Sequence, residues 1–230
     1  EAISQLYPNY LSSLINYHRV MMQKNSLLKN LRYNHKNSDS MLSAWNEQLS
    51  GYGAKLLKYR RRFLEDINKI SCPIHKDISG EEFEIIYTPG IKAETDDEDL
   101  AKMFFEVLEQ NQKREIDTGA CQVGVHRDDF KIFINSNEAR NFGSQGQKRT
   151  AVVSIKHAEL QIMKAITGRV PVLFLDDVMS ELDVERKKRL MECVSGVQTF
   201  ITCADNDIVS YFKKNEINVN YIDVEKLKFL

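Results

Sequence analysis

From Ile3 to Leu31 apolar side chains recur at helical spacing, at Ile3, Leu6, Tyr7, Tyr10, Leu14, Tyr17, Met21, Leu28 and Leu31, which predicts one long amphipathic helix. The polar run from Asn34 to Ser40 interrupts it, and Ser38, Asp39 or Ser40 is placed to cap a second helix. In that helix Leu42, Trp45, Leu49, Tyr52, Leu56, Tyr59 and Phe63 step in alternating threes and fours, the spacing of a helix that packs along another. An antiparallel helical hairpin is therefore expected over residues 1–78. Gly51 and Gly53 each weaken its second arm by about 1 kcal/mol relative to Ala, which favours a bend there.

Beyond Cys72-Pro73 the pattern shortens. A strand is predicted at Phe83 to Tyr87, a turn at Pro89-Gly90, and a helix with an acidic start, Thr95 to Asp99, running to about Arg114. Residues 79–120 thus read as a connecting strand and helix. Over 121–230 the expected order is a strand Phe130 to Ile134, a helix from Ser144 to Ile166 stopped by Gly168, and an apolar strand Val170 to Leu175. A helix from Asp183, a strand Thr199 to Thr202, a short helix near Asp207 to Lys213 and a strand Val219 to Val224 complete it. Strands alternating with helices of these lengths imply an α/β unit with a buried, mostly parallel sheet.

Composition sharpens this picture. Charged residues form 28% and apolar residues 42% of 230 positions, the balance of a globular chain with a sizeable core. The net charge of −1 hides an asymmetry: residues 1–70 carry eleven Lys and Arg against five Asp and Glu, and the acidic surplus lies in the remainder. No apolar stretch is long enough to span a bilayer and no segment of signal-peptide kind opens the sequence, so a cytoplasmic location is expected. Cys72, Cys121, Cys193 and Cys203 lack paired spacing, which argues for reduced thiols; Cys72 and His75 are two potential metal ligands with no second pair nearby.

The strongest chemical signal is Val172-Leu173-Phe174-Leu175-Asp176-Asp177. Its apolar residues build a strand, and two carboxylates emerge at the carboxyl end, where α/β proteins place ligands. Paired acids there serve a metal or a reaction, or else a solvated turn that caps the next helix. Upstream, Ser144-Gln145-Gly146-Gln147-Lys148-Arg149 stands at the mouth of a helix, a turn whose N–H groups and dipole suit phosphate oxygens. Ser180-Glu181-Leu182-Asp183 follows the twin acids. His126 reads as a base or, beside Arg127, Asp128 and Asp129, as the anchor of a turn. Lys55, Lys58, Arg60, Arg61 and Arg62 form a basic run on the second helix.

This order of turn, helix, apolar strand, twin acids and acidic loop resembles the carboxyl-terminal lobe of ABC-type ATPase heads. Within that group it is most similar to the RecF family, on His126-Arg127-Asp128-Asp129, on Ser144-Gln145-Gly146-Gln147 and on Leu175 to Asp183, whose twin aspartates replace the usual Asp-Glu. The stretch from Ile3 to Tyr10 looks like the passage from a RecF head into its helical arm, so the likeness covers nearly the whole chain.

The resemblance implies roles. Asp176 matches the Walker B acid that holds Mg²⁺, and Asp177 the acid that orients the attacking water. Ser144, Gln145, Gly146 and Gln147 match the signature, which meets the γ-phosphate of ATP bound to a partner subunit. Ser180, Glu181, Leu182 and Asp183 match the D-loop at the dimer interface. Thr202 and Cys203 occupy the switch position, where most ABC heads have histidine. Lys55, Lys58, Arg60, Arg61 and Arg62 become candidate contacts to a DNA backbone. ATP, Mg²⁺, DNA, RecO, RecR and an ATP-dependent homodimer are the implied ligands and partners. No Gly-x-x-x-x-Gly-Lys-Ser/Thr occurs, so the P-loop is expected upstream of Glu1, and the chain alone is expected to be inactive. The competing readings are another SMC-like ABC ATPase subunit and a non-catalytic interaction domain.

Overall fold

A computed structural model describes residues 2–33, 39–92, 99–177, 184–203, 212, 214 and 219–226. The hairpin is present: α1 (Ala2–Leu6) and α2 (Pro8–Tyr33) lead to α3 (Asp39–Ser79). Tyr7-Pro8 divides the expected first helix in two, because Pro8 has no N–H to continue the ladder and is at home at a helix start. The second helix corrects the bend expected at its glycines. It runs uninterrupted through Gly51 and Gly53, and a Cβ at Gly53 would stand 2.5 Å from the Phe104 ring, so the glycine admits a close neighbour. It also continues through Pro73 to Ser79. An interior proline costs about 3 kcal/mol. Against that, Ile67, Ser71, His75 and Ile78 line one buried face across the proline.

The next elements are β1 (Phe83–Thr88), α4 (Leu100–Thr118), β2 (Asp129–Ile134), β3 (Asn137–Glu138), α5 (Ala139–Phe142) and α6 (Gln145–Thr167). They are followed by β4 (Leu173–Asp176), α7 (Val184–Cys193) and β5 (Thr199–Thr202). The expected parallel sheet is found only in part. β4 and β5 pair in parallel, whereas β1, β2 and β3 form an antiparallel sheet. The reason lies in α4: it packs on α2 and α3 rather than on the sheet, so β1 and β2 are not joined by a crossover helix that covers them. β2 and β3 turn through Asn135 and Ser136, both at positive φ, as a two-residue hairpin of this hand requires.

Further boundaries moved for local reasons. α4 extends to Thr118, where Gly119 in the left-handed region supplies the stop that Arg114 lacks. Its expected acidic start lies mostly outside the described residues, as does the helix expected near Asp207. Val219 to Val224 is not a strand: among the described residues no neighbour offers it a ladder, and Val224–Lys226 is a 3-10 turn.

Three apolar clusters result, and α3 contributes to all of them. Its first half joins α2 and α4 around Tyr17, Leu28, Leu49, Leu56 and Phe104. Phe63 and Ile67 meet the antiparallel sheet and α6, and Ile78 meets β4, α6 and α7.

Two polar knots reinforce this packing, one within the first cluster and one between it and the strands. Lys24 Nζ lies 2.6 Å from Glu115 Oε2, with side chains 1% and 0% exposed, and Glu115 Oε1 accepts from Gln122 N at 2.8 Å. The second knot gathers on Asp128. Arg60 Nη1 lies 2.6 Å from Asp128 Oδ2, which also accepts from Tyr87 Oη, while Asp128 Oδ1 accepts from Gly90 N at 2.8 Å. Arg60 further donates to Tyr10 Oη at 3.0 Å and to the Val125 carbonyl. His126 is the turn's anchor: its Nδ1 is 3.1 Å from Tyr17 Oη, and burial lowers its pKa.

Removing one partner of a buried pair strands the other charge. Arg60→Ala should therefore lower stability by about 3 kcal/mol, and Lys55→Ala, on an exposed position of the same helix, should stay within about 0.5 kcal/mol. Urea unfolding of the two variants measures both.

His75 couples the fold to acid. Burial pushes its imidazole from 6.5 down to about 4; Arg186 adds to the effect and Glu81 opposes it. The unfolded chain takes up this proton first, so the contribution is complete above about pH 6.5 and is lost as pH falls towards 4. The loss is on the order of 3 kcal/mol. Half-buried His126 and His157, whose pKa values desolvation also lowers, act in the same direction. In His75→Gln the fall in stability between these pH values should be shallower than in the wild type, as measured by urea unfolding across that range.

Candidate functional site

The twin acids sit where the strand pattern puts them. In the parallel register Asp176 stands opposite Thr202, at the carboxyl ends of β4 and β5. Thr202 Oγ1 donates to Asp176 Oδ1, and Asp177 N lies 3.2 Å from both the carbonyl and the hydroxyl of Thr202. One threonine thus holds both acids. Asp177 has φ +49°, in the left-handed region, as the chain leaves the strand. Both acids are exposed to solvent.

Arg149 reaches this point from α6. Its Nη1 donates to the Asp177 carbonyl, and its Nη2 lies 3.7 Å from Asp177 Oδ2. In the sequence nothing beside Arg149 assigns it a role. Its separation of 28 residues from Asp177 left no local signal.

The Ser144 to Gln147 turn forms a complete capping box. Gln147 N donates to Ser144 Oγ at 3.2 Å, and Ser144 N donates to Gln147 Oε1 at 2.8 Å. Gln145 and Gly146 fill the first helical positions, whose N–H groups have no acceptor within a helix. Gly143 is required just before: a Cβ there would meet the Ala139 carbonyl oxygen at 2.7 Å. The amide of Gln147 is oriented from the other side by Glu81, whose Oε1 accepts from Gln147 Nε2 at 2.6 Å. Glu81 Oε2 also lies 3.3 Å from Arg186 of α7. Neither Glu81 nor Arg186 was legible beforehand.

The remaining candidates divide. Ser180, Glu181, Leu182 and Asp183 lie outside the described residues. Cys203 is an exposed free thiol beyond β5. Of the basic run, Lys55 and Arg62 are exposed and Lys58 and Arg61 half-buried, but Arg60 faces inward to Asp128. It is a pillar of the fold, since the alternation of the helix turns it to the core while its neighbours face out. Cys72 donates to the Phe83 carbonyl at 3.0 Å, and His75 stacks on the Phe83 ring at 4.5 Å with Ser154 3.3 Å away, so both serve packing. Among the described residues no group of three or more His, Cys, Asp or Glu is arranged to hold a metal, and no helix is long and apolar enough to cross a membrane.

No family model matches the chain. Individual proteins do. A Clostridium perfringens protein named DNA replication and repair protein RecF is 42% identical over 216 residues, 93% of this chain and 58% of that protein. A Clostridium acetobutylicum protein of the same name is 40% identical over 223 residues, 96% of this chain and 60% of that one. The chain therefore spans about three-fifths of the length of these curated relatives. Among solved structures, the recombination mediator protein RecF in the RecFOR pathway superposes with a TM-score of 0.79 in its ATPrS form and 0.78 in its ATP form. Both are 36% identical and cover 90% of this chain and 56% of that one. Along most of its length this chain is thus alike in sequence and in fold to proteins named RecF, of which it spans a part, and its fold is that of a lobe of an ABC-type ATPase head.

Proposed function

We propose that this chain is the Walker B and signature part of a recombination mediator that binds DNA and is clamped by ATP shared between two subunits. The observation that carries the reading is the convergence of Asp176, Asp177, Thr202 and Arg149 at one strand end, on a fold whose solved relatives are described as RecF with ATP. An acid pair whose only task was to cap a helix would need neither the threonine beneath it nor the arginine beside it.

The residues suit the ligand. Asp176 gives one oxygen to Thr202 and keeps the other for a cation, in keeping with Mg²⁺, which is held by one or two carboxylates with waters and phosphates. Bound ATP and Mg²⁺ supply the phosphoanhydride and the charge that polarises it. Asp177 orients a water at its carboxylate and takes up its proton. Thr202 fixes the spacing of the two acids. At the signature, the capping box rigidifies the helix mouth and leaves the N–H groups of Gln145 and Gly146 for the phosphate of a nucleotide held by the other subunit. Exposed Lys55 and Arg62 are suited to a nucleic-acid backbone. RecO and RecR are the proposed partners, DNA near single-strand gaps the substrate, loading of a recombinase the outcome, and the cytoplasm the place.

Two substitutions, made in the full-length protein that carries this chain, test the reading. Asp177→Asn removes a carboxylate while keeping its shape, so turnover should fall at least a hundredfold with ATP-induced dimers preserved. Normal phosphate release by this variant would reduce Asp177 to a helix cap. Ser144→Arg fills the helix mouth, so ATP binding to the monomer should persist and dimerisation with a slowly hydrolysed analogue should disappear. Sedimentation with and without the analogue decides, and a variant that dimerises like the wild type sinks the shared site.

A further inference from the structure

Glu81 has no part in the proposed chemistry, yet it touches two elements of the site at once. It stands just past the end of α3, where Gly80 at φ +74° turns the chain and Glu81 N donates to Ser79 Oγ at 3.2 Å. Its side chain, 17% exposed, accepts from Gln147 Nε2 at 2.6 Å through one oxygen and lies 3.3 Å from Arg186 Nη2 through the other. A side-chain amide has a donor end and an acceptor end, and only one orientation of Gln147 serves both neighbours. Its oxygen must face Ser144 N, 2.8 Å away, and its nitrogen must face Glu81. A carboxylate can only accept, so Glu81 excludes the reversed amide and thereby secures the capping box.

We propose that Glu81 is a positioning residue for the signature turn: it orients Gln147 and ties it, through Arg186, to the helix that follows the twin acids. This rests on the reading of residues 144–147 as the signature. The first turn of α6 is then held from the end of α3, whose other end lies in the helical arm.

The test is a reciprocal exchange in the full-length protein. Gln147→Glu keeps an acceptor for Ser144 N, so the capping box survives, but it sets a carboxylate against that of Glu81. The analogue concentration for half-maximal dimerisation should rise about tenfold, the factor for one charge-assisted hydrogen bond lost. Adding Glu81→Gln restores a donor between the two positions and should bring the value back to within about twofold of wild type. Two results would overturn the proposal: Gln147→Glu dimerising as the wild type does, or the double variant no better than the single. Thermal unfolding of the same three proteins, without nucleotide, reads the contact independently, and there the exchange should again repair the single variant. If Ser144→Arg also dimerises normally, the signature reading has failed and the thermal cycle alone judges the contact. If Ser144→Arg is blocked while the exchange repairs nothing, the positioning role alone is lost.

Discussion

Every apolar cluster in the described molecule includes side chains from α3, so the 41-residue helix fixes where each of the others can sit. At 1.5 Å per residue it is about 60 Å long. Its first half belongs to the arm, its middle to the antiparallel sheet, and its last turns to the strand with the twin acids. A break at Pro73 would separate the last of these from the others. The cost of carrying proline in the helix is set against His75 and Ile78, which are buried beyond it and lose their places if the helix stops.

The polar knots complement this spine. Packing alone lets a helix slide or rotate along another, since apolar contacts have no direction. Lys24 with Glu115, and Arg60 with Asp128, forbid such slippage because a shift of one turn would leave a charge buried and unpaired. Asp128 is the more connected of the two, receiving α3, β1 and the turn after β1 within one side chain's reach.

What the sequence disclosed follows from range. The helical hairpin, β1, β2 and β5, and the limits of α6 depend on local periodicity and on caps such as Ser144 and Gly168, so they were legible. Asp176 and Asp177 were placed at a strand end by the apolar run before them, while Thr202 was named only through the resemblance, and its contact with both acids comes from the parallel register. Arg149, Glu81 and Arg186 could not be placed, since their partners lie 28 to 105 residues away and nothing in the intervening pattern records the contact. Arg60 was misplaced for a related reason. Charge composition gives a run of cations but not which of them the helix rotates inward. The antiparallel sheet escaped because alternating elements say that a helix lies between two strands, not what that helix packs against.

The left-handed backbone at Asp177 bears on which acid can occupy the position. That region costs an ordinary side chain about 1–2 kcal/mol, and short Asp and Asn tolerate it best because they can hydrogen-bond to the nearby main chain. Glu offers the same functional group on a longer stem without that compensation. Any lineage that keeps this turn is thus biased towards the shorter acid, and the choice between two chemically equivalent carboxylates is made by a main-chain torsion before reactivity enters.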